Sequence, residues 1–428
     1  MEAIFVIFET SFVEEGMNIK AYVRGIVLVV GMVVAFLAMA LESPAQLLDG
    51  YLYGRVHTER TTYVGPIRWG GEEVFWSDLF NGAKRNNDYA KLVPQQSSDK
   101  DWWSNYNWTF SSIWENKSTS HQFTCQFGNI KEIVTTGRSY VVLKLKNGGE
   151  LQVSGEGYND LDSKIQVFDD ELGTVSIPWE RITRVEFLPT PAKLNQIFGQ
   201  PLYGTVEGVR REKYTGFIVW DNDERLGSDK LDGDADDGDV SIRFQEIESI
   251  ERNGNGCEVK LKSGRQLFLD NSNDVNNENR GVLVIDPNYG VIEFSWNAFK
   301  RVTFTPVSNS GLGYNQYPAP KPIEGTVSLL DGDEITGRII YDIDEALDFE
   351  IIEGKENGIE YHLPIRNIKR ITPKNNNYSL IELRSGQTLL LGSQRDVSDD
   401  NSGLLVFGKG KKEAVHVPWQ KINEITFQ

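Results

Sequence analysis

The densest group of ligand-type side chains in this 428-residue chain is Asp232, Asp234, Asp236, Asp237 and Asp239, with Gly233 and Gly238 among them. Hard oxygen ligands at that density suit Ca²⁺. The spacing departs from a helix–loop–helix calcium loop, whose glycine belongs at the sixth position, here filled by Asp237. A solvated acidic loop accounts for the same residues and is the favoured reading, with a Ca²⁺ site as the alternative. A second acidic pattern follows two strand-like stretches: Asp221, Asp223 and Glu224, then Asp342, Asp344 and Glu345, with Gly70, Glu72 and Glu73 at a third place. Carboxylates two apart on a strand face the same side and could share a proton or hold a cation. Their spacing also fits a solvated strand end and turn, which is the expectation here.

Aromatic residues supply the other candidate. Trp102, Trp103, Tyr106, Trp108, Phe110 and Trp114 crowd one stretch that has no counterpart elsewhere in the chain. Such a cluster could stack on sugars or anchor a partner protein, since Trp and Tyr carry much of the binding energy at interfaces. A small satellite core under a long loop is the competing account. Trp69, Trp220 and Tyr341, and likewise Trp179, Trp296 and Trp419, recur with the repeat described below and read as core.

Catalysis finds little support. His57, His121, His362 and His416 lie in unrelated contexts, without Gly-x-Ser-x-Gly or Ser-x-x-Lys, and no phosphate-binding glycine pattern follows a strand. No catalytic residue is assigned, and the expectation is a non-enzyme that requires no cofactor. Two cysteines and four histidines cannot assemble a zinc ribbon or an iron–sulfur site. Pairing of Cys125 with Cys257 stays open. A net charge of −18 with no basic stripe removes the attraction that dominates nucleic-acid binding.

The N-terminus reads as an export signal. Met17 fits the true start; Lys20 and Arg24 precede an apolar run from Ile26 to Leu41, and Ala38-Met39-Ala40 fits cleavage after residue 40. An uncleaved anchor is the alternative, although the run is shorter than a spanning helix needs. Residues 1–40 are therefore expected to be removed, leaving an acidic protein with no transmembrane span, periplasmic or secreted from a bacterial envelope.

The elements that would position these groups repeat. Gly54-Arg55-Val56, Gly204-Thr205-Val206 and Gly325-Thr326-Val327 each precede a Gly-marked apolar stretch. Asn147-Gly148, Ser263-Gly264 and Ser385-Gly386 mark hairpin turns, and Pro178-Trp179, Ser295-Trp296 and Pro418-Trp419 open similar closing stretches. The spacing is about 120 residues. Three repeats follow, at 46–187, 202–304 and 323–428, the first carrying the Trp-rich insertion at about 76–121. Proline-bearing linkers separate them. Phe244-Gln245-Glu246-Ile247 and Ile365-Arg366-Asn367-Ile368 resemble the closing stretches, which suggests that each repeat is a pair of modules of about 50–60 residues. Period-two alternation dominates after residue 45, so the class is all-β, with helices reduced to short turns.

Gly-Thr-Val and Pro-Trp-x-x-Ile, set among strands with a short turn before the last, resemble small SH3-like or Sm-like barrel modules, including the PRC-barrel type. The resemblance covers most of residues 50–428 and implies three tandem pairs of such modules, as in bacterial envelope repeat proteins of unassigned role. A six-bladed propeller is the alternative, disfavoured because the linkers separate three pairs rather than six blades. The function this implies is a non-catalytic structural or interaction component of the envelope, whose partner is another envelope protein or a glycan. A glycan- or calcium-binding module is the alternative.

Overall fold

Alternating apolar and polar residues place one face of a strand in a core and the other in water. The computed structural model is accordingly all-β, 54% strand, with no helix of seven residues or more among the described residues. It describes residues 50–84, 89–93, 121–137, 139–155, 157–236, 238–307 and 311–428. No helix in these residues is long and apolar enough to cross a membrane. The apolar run at 26–41 lies outside the described residues, as do Asp237, Trp102, Trp103, Tyr106, Trp108, Phe110 and Trp114.

The first segment holds β1 (Tyr53–Thr58), β2 (Thr62–Trp69), β3 (Leu79–Lys84), β4 (His121–Gln126), β5 (Ile130–Thr135), β6 (Tyr140–Leu145), β7 (Glu150–Ser154), β8 (Ile165–Asp169), β9 (Gly173–Ile177) and β10 (Ile182–Phe187). The second holds β11 (Tyr203–Gly208), β12 (Lys213–Trp220), β13 (Lys230–Ala235), β14 (Gly238–Arg243), β15 (Ile247–Asn253), β16 (Gly256–Leu261), β17 (Gln266–Leu269), β18 (Val282–Asp286), β19 (Gly290–Phe294) and β20 (Phe299–Phe304). The third holds β21 (Glu324–Leu329), β22 (Glu334–Ile340), β23 (Ile351–Glu356), β24 (Ile359–Pro364), β25 (Ile368–Pro373), β26 (Tyr378–Leu383), β27 (Thr388–Gly392), β28 (Leu404–Gly408), β29 (Val415–Val417) and β30 (Ile422–Phe427).

All pairing among the described residues is antiparallel. In the first segment β1 pairs with β2 and β10, β10 with β5, β5 with β6, β6 with β7, β2 with β8, β8 with β9, and β3 with β4 and β7. In the second, β11 pairs with β12 and β20, β20 with β15, β15 with β16, β16 with β17, β12 with β18, β18 with β19, and β13 with β14. In the third, β21 pairs with β22 and β30, β30 with β25, β25 with β26, β26 with β27, β22 with β28, β28 with β29, and β23 with β24 and β27. β19 also pairs with β24, which joins the second and third segments in one 18-stranded sheet. Among the described residues none of the sheets closes.

These pairs alter two expectations. Because the first strand of a segment pairs with its last and the second strand with the eighth, the halves are interlaced and do not separate into modules of about 50–60 residues. The insertion is also narrower than 76–121: Leu79–Lys84 pairs in register with His121–Gln126, and Trp76 and Phe80 are buried in the core, so the extra residues begin after Lys84.

Glycines hold the centre of each segment together. Gly54 faces Gly65, Gly204 faces Gly216 and Gly325 faces Gly337 across the first hairpin of each segment. A Cβ on Gly65, Gly216 or Gly337 would lie 1.9, 2.3 or 2.0 Å from the carbonyl oxygen of Phe168, Ile285 or Phe407. Glycine inside a strand here marks close backbone approach. The hairpin turns fall where expected, with Gly148, Gly264 and Gly386 at φ of 85°, 89° and 94°. Short 3-10 turns precede β10, β15, β25 and β30, opening at Trp179, Phe244, Ile365 and Trp419.

One core fills the first segment and a second runs through the other two. Trp69, Trp179, Trp220, Trp296, Tyr341 and Trp419 are all buried in them, as their recurrence predicts. Cys125 and Cys257 are free, buried and in different cores. Tyr314 and Tyr317, from the linker before β21, pack into the first core. Lys146 donates to the backbone carbonyl of each, at 2.5 and 3.1 Å.

Candidate functional site

The carboxylates after each second strand do not sit in solvent. Asp221 is 0% exposed, Asp342 4% and Asp344 6%, which overturns the expected solvated strand end. The cause is a tight reversal. After Trp69, Trp220 and Tyr341 come two residues with positive φ: Gly70 and Gly71, Asp221 and Asn222, Asp342 and Ile343. The amide three residues on then donates to the aromatic residue's carbonyl, as from Asp223 to Trp220 at 3.1 Å. This is the geometry of a type I′ turn, which favours Gly, Asn and Asp. It folds Glu73, Glu224 and Glu345 back against the aromatic residues. Ile343, β-branched at φ of 61°, is a costly occupant of that region.

A further carboxylate closes each loop. Oδ2 of Asp78 accepts from the amides of Val74 and Phe75, Oδ2 of Asp229 from Arg225 and Leu226, and Oε2 of Glu350 from Ala346 and Leu347. Another arrives from a distant stretch of chain. The carbonyls of Asp160 and Asp274 accept the indole N–H of Trp69 and Trp220 at 2.7 and 2.9 Å, and that of Asp396 accepts the Tyr341 hydroxyl. The carboxylates of the same three aspartates accept the amides of Asn81, Asp232 and Glu353. The Asp/Asn-rich stretches at 273–281 and 395–403 thus cap backbone, with Asn279 accepting from Gly281 and Asn401 from Gly403.

Each segment therefore encloses a glutamate near an aspartate, and burial raises both affinities for protons. Desolvation pushes Asp160 to about 7, Asp274 to about 6 and Asp396 to about 8. Glu224 goes to about 10, through burial and then its hydrogen bond to Asp223, while burial also raises Glu73 and Glu345. Oε2 of Glu224 and of Glu345 has no hydrogen-bond partner among the described residues. Asp221, Asp223 and Glu224 converge, with oxygens within 4.8 Å of one another.

Cations of the chain already stand against these acids. Arg280 lies 2.7 Å from Asp223 and 3.4 Å from Asp221, and Arg395 lies 2.7 Å from Asp342. Others cross between segments. Arg225 of the second is 3.1 Å from Asp78 of the first, and Lys84 of the first is paired with Asp344 and Glu350 of the third. His362 of the third lies between Glu353, at 3.2 Å, and Glu293 of the second, at 3.6 Å.

Asp232, Asp234, Asp236 and Asp239 are arranged otherwise. β13 and β14 space them along a two-stranded hairpin, Asp232 opposite Ser241 and Asp234 opposite Asp239, with all but Asp234 exposed. They are not among the carboxylates whose oxygens converge. Sequence reasoning missed Lys84, Arg225 and His362. Their signal is a mismatch between segments: the residues at the matching positions are Ala235 and Glu356 for Lys84, Val74 and Ala346 for Arg225, and Thr124 and Ser241 for His362.

No protein-family model, no curated protein and no solved structure matches this chain.

Proposed function

We propose that residues 53–427 are three copies of one ten-stranded unit and that the protein is a non-catalytic scaffold of a bacterial envelope, exported on residues 1–40. The strand pairs of the first segment recur in the other two, apart from the pairing of third strand with seventh, which the second segment reduces to an isolated Asp234–Asp270 bridge, and this recurrence supports the three-copy reading. The 3-10 turn before the closing strand supports kinship with SH3-like or Sm-like modules. The observation that carries the scaffold reading is the way buried charge is spent: Lys84 crosses from the first segment to Asp344 and Glu350 of the third. Charges arranged for turnover face a substrate, whereas these face one another and fix the segments.

In this reading the Trp-rich residues Trp102, Trp103, Tyr106, Trp108 and Trp114 form the contact for an envelope protein or a glycan. The test compares the full chain with one lacking residues 94–120. Equal melting temperatures and loss of retention on an envelope or glycan fraction are expected. Retention unaffected by the deletion overturns the assignment of that contact, and turnover of an envelope substrate by the purified chain overturns the non-catalytic reading.

Calcium binding is the second reading, favoured by the convergence of Asp221, Asp223 and Glu224. A melting temperature that rises with Ca²⁺ and falls with chelator would support it, because a ligand of the folded state stabilises by mass action.

A further inference from the structure

An amine, two carboxylates and an apolar wall meet where the first segment joins the third. Nζ of Lys84 lies 3.3 Å from Oδ1 of Asp344, touches Oε1 of Glu350 and donates to the Asp344 backbone carbonyl at 3.0 Å. Phe123 and Phe349, both buried, pack edge to face beside it, the ammonium lying 5.8 Å from the centre of the Phe123 ring. The Lys84 side chain is 9% exposed, whereas those of Lys144, Lys213, Lys260, Lys300, Lys355 and Lys369, also in ion pairs, are 39% exposed or more. Arg225, buried against Asp78 at another joint, is a guanidinium and stays charged. A lysine can instead give up its proton and become a nucleophile.

The acids around this amine are held differently. Oε2 of Glu350 accepts the amides of Ala346 and Leu347, which favours the ionised form and leaves Oε1 against the amine. Glu345, next to Asp344 in the chain, holds its proton more tightly than an ordinary glutamate, through burial and then the charge of Asp344. Burial works against the Lys84 ammonium, but Glu350 and Asp344 outweigh it, so its proton passes to a carboxylate of the group and not to solvent. We propose that Lys84 and Asp344 join in an amide bond between Nζ and Cγ, a covalent staple between the first and third segments, with Glu350 as the base. Glu345 protonates Asp344, and Glu350 takes a proton from the ammonium. The amine attacks Cγ; the C–N bond forms, one C–O bond breaks and water leaves. Of the three ammonium protons one stays on the amide nitrogen, one leaves in the water together with the proton from Glu345, and the third returns to Glu345. Ammonium and carboxylate thus give amide and water, with no oxidant or other reactant. Fixed contact takes the place of the high concentration that separate molecules would need, and the product removes two charges that are costly to bury. The bond forms once per chain, without turnover, and the inference rests on reading this joint as a scaffold contact.

The test is peptide mapping by mass spectrometry of the full chain, kept folded at neutral pH after synthesis, then denatured and digested. A branched peptide is expected, joining the stretch around Lys84 to the stretch around Asp344 and lighter than the two together by one water. Lys84→Arg keeps the cation and should give no branch. Glu350→Gln keeps an oxygen for the Ala346 and Leu347 amides but not the base, and should slow the appearance of the branch by about a hundredfold or more. Circular dichroism checks the fold of both variants, and the parent alone decides whether the bond exists. Unbranched peptides only, or a branch from Lys84 to Glu350, overturns the proposal, and an unchanged rate in folded Glu350→Gln overturns the role of the base. This readout is separate from retention through residues 94–120, so failure here leaves the scaffold reading to its own experiment.

Discussion

Lys84 ends β3 with its ammonium 3.3 Å from the carboxylate of Asp344, a residue 260 positions further along the chain, and it donates to the Asp344 carbonyl at 3.0 Å. Glu350 completes the group, and all three side chains are buried. Burying an ion pair confers little net stability against an apolar pair, but removing one member strands the other charge. Lys84→Met leaves the acids of the third segment without their nearest cation and is expected to cost about 3–5 kcal/mol. Urea unfolding measures it. Adding Glu350→Gln should recover part of the loss; a single variant as stable as the parent shows that the contact carries no load.

Acidity should stabilise this protein over most of its range. Asp160 and Asp396 have folded values of about 7 and about 8 against an ordinary 3.8, chiefly because burial penalises their charge. The folded state binds more protons than the unfolded one between those values, so stability falls as pH rises through them. His362 acts in the same direction. Although burial opposes its charge, Glu293 and Glu353 raise it to about 10 from 6.5, and its contribution is lost as pH climbs through that value. Thermal melts should show a maximum on the acid side of neutrality and a steady decline towards pH 10. A flat profile from pH 6 to 9 would contradict the burial of these groups. His362→Gln should flatten the upper part of the decline.

The two kinds of glycine should respond differently to alanine. Gly337 faces Gly325 in mid-strand, where a Cβ would lie 2.0 Å from the carbonyl oxygen of Phe407, so backbone must move. Gly332 sits in a turn at φ of 95° with nothing within 4 Å of the added carbon. Gly332→Ala is expected to cost about 1 kcal/mol in backbone strain. Gly337→Ala should exceed that, reaching about 3 kcal/mol by forcing strands apart. Chemical denaturation of the two variants ranks them.

Much of this architecture can be read from residue order. Alternation gives the strands, the Gly-marked turns give the hairpins, and the recurring tryptophans give the core. The interlacing is not legible, because period-two patterning says which face of a strand is buried and not which strand lies beside it. Nothing around Tyr53–Thr58 announces that its neighbour is Ile182–Phe187. The acids misled for a related reason. Asp221 and Asp342 look like surface turn residues until Asp274 and Asp396 arrive from more than 50 positions away and shut water out. The partners Lys84 and Arg225 are single departures from the pattern, and such departures gain meaning only when the segments are compared position by position.

The convergent acids of the second segment separate an internal lock from a metal site. Arg280 bridges Asp221 and Asp223, its own amide donates to Asp221, and Asn273 donates to the other Asp221 oxygen at 2.7 Å. Both oxygens of Asp221 are therefore engaged, and the neighbouring Glu224 is protonated near neutrality, being pushed to about 10 by burial and by Asp223. A divalent cation would have to displace a guanidinium and a proton together. Millimolar Ca²⁺ is thus expected to move the melting temperature by less than about 1 °C relative to chelator. Arg280→Gln removes the internal cation while leaving the carboxylates in place. That variant should melt lower than the parent in chelator and regain part of the difference when Ca²⁺ is added, because the site then lacks the charge that Arg280 supplied. A parent chain that gains several degrees from Ca²⁺ would instead make the guanidinium a displaceable occupant, and Asp221, Asp223 and Glu224 the ligands.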